Sequence, residues 1–164
     1  MAVSFEFVWG KTWNPVTVTG ESVNYHRGQT QIAGRKPGFD PTYTWNFPLS
    51  MTFKSSNPFG WPKLVLTLTI PKGKGEDEVV GYGWTHIPLQ NGRHTIDVPL
   101  FKPKSSSIIQ QILAKLSRTP IELIDSKFIT ESEGRAVTRM VSEGSIKVQF
   151  DVIIKDLEAL GFKM

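Results

Sequence analysis

Apolar and polar residues alternate along most of this chain, the period-two signal of strands that bury one face. Trp45, Phe47, Leu49, Met51 and Phe53 share one parity, and Asn46, Ser50, Thr52 and Lys54 share the other. The same alternation runs through Leu64–Ile70, Val80–His86 and His94–Leu100. It is strongest in Ile146–Ile154, where Lys147, Gln149, Asp151 and Lys155 hold the polar side. Shorter runs at Phe5–Trp9, Thr30–Ala33 and Val137–Val141 bring the prediction to about eight strands. Turn chemistry separates them. Asn57-Pro58-Phe59-Gly60 has the residue preferences of a type I turn, and Pro71–Gly75 and Asn91-Gly92 close two further connections. Pro48 cannot donate to a ladder, so it predicts an edge or a bulge within its run.

One segment has a different period. From Ser107 to Arg118 the residues Ile108, Ile109, Ile112, Leu113 and Leu116 recur at helical spacing, with Ser107 and Gln110 in capping-box positions and Pro120 as a stop. A second, shorter helix is predicted from an Asp156 cap to Gly161. The expected fold class is therefore an all-β antiparallel sandwich or barrel carrying one inserted amphipathic helix. With 164 residues and no repeat or linker, the chain reads as a single domain, 1–164.

Composition narrows the chemistry. The absence of Cys excludes disulfides, zinc ribbons, iron–sulfur clusters and thiol nucleophiles. No apolar run approaches the ~20 residues of a membrane helix, and the N-terminus does not read as a signal peptide. The net charge of +4 is spread without a run of five like charges, which predicts a solvated surface rather than a nucleic-acid tail. His26, His86 and His94 stand apart from acidic clusters, so no metal site is expected; His86 and His94, on inward parities, read as hydrogen-bonded structural histidines. Gly73-Lys74-Gly75 lacks the spacing of a phosphate loop and is followed by Glu76-Asp77-Glu78, and no nucleophile elbow is present. No catalytic residue and no cofactor is expected. Most aromatic rings lie on inward parities without interleaved basic residues, which favours core packing over stacking on single-stranded nucleic acid. Trp13, Phe39, Phe59 and Trp61 fall instead in predicted loops and are the partner-contact candidates. The basic positions Lys102, Lys104, Lys115, Arg118, Arg135 and Arg139 are candidates for contact with a partner or an anionic lipid surface.

The ordered series Trp45-Asn46-Phe47-Pro48, Thr52–Pro62 with its Asn57-Pro58-Phe59-Gly60-Trp61-Pro62 turn, Gly81-Tyr82-Gly83 with His86 and Pro88, and Gly92-Arg93-His94 resembles the B9 domain, a divergent relative of the C2 sandwich. Glu133–Arg139 and Lys155-Asp156-Leu157 with Leu160-Gly161 extend the likeness, which covers roughly residues 5–162. The resemblance implies a C2-like antiparallel sandwich and a non-enzymatic role. It implies a scaffold in the ciliary transition zone, at the cytoplasmic face of the cilium base, needed for cilium formation and for the membrane diffusion barrier. Its implied partners are other B9-domain proteins and tectonic-type ciliary membrane proteins; the C2 kinship adds peripheral phospholipid binding as the alternative. Calcium-triggered docking is not expected, because the Gly10–Gly28 connection offers only Glu21. The family usually has a strand ahead of the one matched by Phe5–Trp9, so two alternatives stand: the sequence is shortened by that first strand, or the edge beside Phe5–Trp9 is open and ready for a partner strand.

Overall fold

The computed structural model describes residues 1–16, 26–36, 38, 42–72, 77–103 and 140–156. These form β1 (Ala2–Val8), β2 (Trp13–Pro15), β3 (Arg27–Gln29), β4 (Phe53–Ser55), β5 (Lys63–Ile70), β6 (Glu78–His86), β7 (Gly92–Pro103) and β8 (Met140–Val152). Six strands make one antiparallel sheet in the order β3-β1-β5-β6-β7-β8, and β2 pairs with β4 in a small second sheet. Among the described residues the protein is all-β. The helices predicted at Ser107–Arg118 and after Asp156 lie outside them.

The central strand β5 explains the core. Its even positions Leu64, Leu66 and Leu68 join Val3, Phe5 and Phe7 of β1, Val98 and Leu100 of β7 and Ile146 of β8 in one buried cluster. Alternation thus does what a half-buried strand requires, and the same parity repeats from strand to strand through the registers Phe5↔Leu66 and Val98↔Ile146. Trp45, Met51 and Phe53 cover this cluster from the other side, and Phe47 packs on Phe5 with ring centroids 5.7 Å apart. The odd side of β5 is buried too, since Val65 forms a second cluster with Tyr82, flanked by Val8, Trp84 and Phe101.

Several expectations are corrected. The run Trp45–Phe53 packs Trp45, Met51 and Phe53 against the core but leaves Phe47 and Leu49 exposed, and only Phe53–Ser55 belongs to a ladder. Pro48 removes a donor from that run, which is held by packing together with the bond from Trp45 Nε1 to the Met1 carbonyl (3.1 Å) and from the Val16 amide to the Thr52 carbonyl (2.8 Å). The strand expected at Thr30–Ala33 lies at Arg27–Gln29; the chain beyond it still donates to β1, from the amides of Thr30 to Val3 (2.9 Å) and Ala33 to Met1 (2.8 Å). Tyr82 and Trp84 do not face the main core. A register shift at Leu68/Thr69 leaves Val80 on the main face and sets Gly81 and Gly83 opposite Leu68 and Leu66, which turns Tyr82 and Trp84 to the other face. The open edge, one of the two alternatives at Phe5–Trp9, is absent as well: β1 lies inside the sheet, because the chain returns as β3 to pair with it while β5 holds its other side. Among the described residues the sheet's edges are β3 and β8. Met140 and Val141, predicted to belong to a separate strand, continue into β8.

Candidate docking end

The antiparallel registers bring Val8, Lys63, His86, Gly92 and Val152 to one end of the sheet. The aromatic turn Asn57–Pro62 is anchored there by a dense set of hydrogen bonds. Asn57 Oδ1 accepts from the Phe59 amide (2.9 Å), the local bond by which Asn favours a turn. The Phe59 carbonyl accepts from Trp13 Nε1 (3.0 Å) and from the Thr12 hydroxyl (3.2 Å). The Ser55 hydroxyl reaches the Thr12 and Asn57 carbonyls at 2.9 and 2.7 Å, and Trp61 Nε1 donates to the Ile87 carbonyl (2.9 Å). Gly10 donates its amide to the Gly60 carbonyl at 2.8 Å. This approach is so close that a Cβ on Gly60 would lie 2.5 Å from the Gly10 Cα, and Gly60 holds φ +77°, a region that suits glycine.

Three of the four aromatic candidates meet here. Trp13 and Trp61 stand edge to face with centroids 4.9 Å apart, and Trp13 and Trp9 both touch Phe53. Phe59, by contrast, is 79% exposed: its backbone is fixed while its ring projects into solvent. Phe39 lies outside the described residues. A cleft of about 450 Å³ opens beside the turn, between Leu49–Phe53 on one wall and Gln149–Lys155 on the other, with Phe7, Trp13, Trp61, Ile87 and Phe150 also lining it. Ile153 is 83% and Leu89 58% exposed; both escaped the sequence reading, although the apolar run Val152-Ile153-Ile154 breaks the alternation of β8 and signals a side chain out of pattern. The turn carrying Leu89 is tied to this region by the Ile154 amide, which donates to Asn91 Oδ1.

The basic candidates divide differently. Lys102 sits at the opposite end of the sheet, 4.0 Å from Glu78, whose other carboxylate oxygen meets Lys72 at 2.8 Å. Lys72 first, and Lys102 after it, hold the Glu78 carboxyl below its ordinary pKa. Lys104, Lys115, Arg118, Arg135 and Arg139 lie outside the described residues. The docking end has exposed lysines of its own in Lys11, Lys54 and Lys155. Of the histidines, half-buried His94 meets the Gln90 carbonyl at 2.8 Å. His86 is more open than expected. It rests on Trp84 at 5.3 Å, and partial burial together with the charge of Lys63 holds its pKa below the ordinary histidine value. Among the described residues no three His, Asp or Glu side chains come together as a metal ion requires.

Among the described residues this geometry defines an all-β module with an apolar, aromatic-lined end. The family model for ciliary basal body-associated B9 proteins matches residues 1–153. B9 domain-containing protein 1 of Xenopus laevis is 40% identical over 158 residues, covering 96% of this chain and 77% of the relative, and its Mus musculus counterpart is 38% identical over 156 residues, covering 95% and 74%. B9 domain-containing protein 2 of Bos taurus is 27% identical over 134 residues, covering 82% and 75%. No solved structure matches the chain. The chain belongs to the B9-C2 family of ciliary basal body-associated proteins.

Proposed function

We propose that this protein is a non-enzymatic scaffold at the base of the cilium. It works on the cytoplasmic face of the transition zone, where it binds other B9-domain proteins and tectonic-type membrane proteins and so contributes to cilium formation and to the diffusion barrier. A C2-like sandwich over residues 1–164 is the rigid body of that scaffold, and the Asn57–Pro62 end is its docking surface. The observation that carries this reading is a family match over nearly the whole chain combined with Phe59, an exposed ring on a backbone held by its neighbours' hydrogen bonds. Such a ring loses little freedom on binding, and aromatic anchors of this kind dominate interface energies. The rim lysines Lys11, Lys54 and Lys155 steer an acidic partner toward it.

Phe59→Ala tests the reading. The ring packs on little of its own chain, so the melting temperature is expected to stay within about 2 °C, while co-purification of a second B9 protein from ciliated cells falls roughly tenfold, the loss of a modest hot spot. Unchanged co-purification removes the docking role of this end. The same three lysines beside Phe59, Leu89 and Ile153 favour a second reading, a peripheral contact with anionic lipid. That reading expects wild-type protein to sediment with phosphatidylserine vesicles at low salt and to be released as salt screens the charges.

A further inference from the structure

β8 is the long edge strand of the main sheet. Among the described residues nothing pairs with its outer side, and the cleft is lined by Gln149–Val152 of β8 and the residues that follow to Lys155. Such an edge presents a row of unpaired N–H and C=O groups, and proteins commonly guard it with charge. The charges here follow a pattern. On one face of β8, Lys147, Gln149 and Asp151 are all exposed, and in β7 they stand opposite Asp97, Thr95 and Arg93. Arg93 Nε lies 2.9 Å from Asp151 Oδ1, and Lys147 Nζ lies 4.0 Å from Asp97 Oδ1. On the other face are Ile146, Val148 and Phe150. The regular stretch is bounded below by Gly144, where φ is +114°, and above by exposed Ile153.

We propose that β8 pairs antiparallel with β8 of a second copy of this chain, across a two-fold axis at Gln149. This register sets Lys147 against the partner's Asp151 and Asp151 against the partner's Lys147. Each row of side chains then reads across four strands as Arg93, Asp151, the partner's Lys147 and the partner's Asp97, with the sign alternating at every step. On the opposite face Val148 meets the partner's Phe150 and Ile146 the partner's Val152, while on the charged face Ser145 at the Gly144 bend comes opposite the partner's Ile153. The other same-face registers are less favourable. Centring the axis on Val148 or on Phe150 sets both Lys147 and Asp151 against uncharged residues, and centring it on Lys147 or on Asp151 puts identical charges directly opposite each other, which destabilises a strand pair. The pairing is isologous, so it closes at two copies rather than growing into a fibre. Two short edges bury an area at the low end of specific interfaces, below ~1,200 Å² in total, so the dimer is weak. This inference rests on β8 alone and not on the ciliary reading.

The test uses the full 164-residue chain and two charge reversals at exposed positions, Lys147→Glu and Asp151→Lys, each checked for an unchanged β-sheet circular dichroism spectrum. Sedimentation equilibrium at high protein concentration is expected to show a monomer–dimer equilibrium for the wild type. Each single variant, facing like charges at both symmetry-related contacts, is expected to dimerise at least about tenfold more weakly. An equimolar mixture of the two variants restores opposite charges at both contacts, so the dimer is expected to return as a heterodimer. A wild-type chain that stays monomeric at every concentration overturns the proposal. So does a dimer indifferent to both reversals, or a mixture that fails to recover association.

Discussion

Gly60 shows what a single residue contributes to this protein. It combines a positive φ with a backbone contact to Gly10 that leaves no room for a Cβ, so Gly60→Ala incurs both backbone strain and a steric clash. An expected loss of about 2 kcal/mol follows, read as a lower urea midpoint with unchanged slope. The same variant should loosen Phe59, whose carbonyl and amide both depend on the turn. The turn itself was legible in the sequence, since Asn, Pro and Gly each carry a known local preference. The seating of Trp13 under it was not, because a contact between residues forty-six positions apart is written in no local pattern. Exposure is the other quantity the residue letters hide. Phe59 and Trp61 read alike as loop aromatics, yet one ring is open to solvent while the other is half-buried and bonded to Ile87.

At the scale of elements, alternation located β5, β6, β7 and β8 well, because in each of them one parity is apolar. It failed where two different backbones present the same parity. The Trp45–Met51 stretch alternates as a strand does, but hydrogen bonding rather than side-chain pattern decides ladder membership, and Pro48 counts against it. It failed again for β6, where one extra residue at the register shift exchanged the faces of Tyr82 and Trp84. Pairing partners are also beyond the reach of alternation: the side of β1 away from β5 is taken by β3, a partner no local pattern announces. The strand most demanding of its sequence is β5, buried on both sides, with Leu64 among the least exposed of the described residues. Leu64→Ala is therefore expected to cost about 2–5 kcal/mol, the range for truncation in a packed core, measured as a fall in chemical-denaturation stability. An equal truncation at exposed Ile153 is expected to cost well under 1 kcal/mol.

For the whole molecule, two titratable residues of β6 on the second face, His86 and Tyr82, set a stability profile in pH. His86 has a folded pKa below that of the unfolded chain, so the unfolded state binds more protons as pH falls below the ordinary histidine value, and stability declines on the acid side of it. Burial pushes Tyr82 up to about 12. The unfolded chain releases that proton first, and stability declines as pH rises from 10 toward 12. A plateau of melting temperature between about pH 7 and 9.5 is the expected outcome; His86→Gln should flatten its acid shoulder and Tyr82→Phe its alkaline one. The contact between Gly10 and Gly60 also has a mechanical consequence. With no side chain between them, the turn is bolted to the end of β1, and β1 is stitched on both sides into the sheet. A pull on the Phe59 ring is therefore borne by the long ladders of the main sheet instead of being spent in a slack loop, so a tether attached there strains the whole body before it frees the anchor.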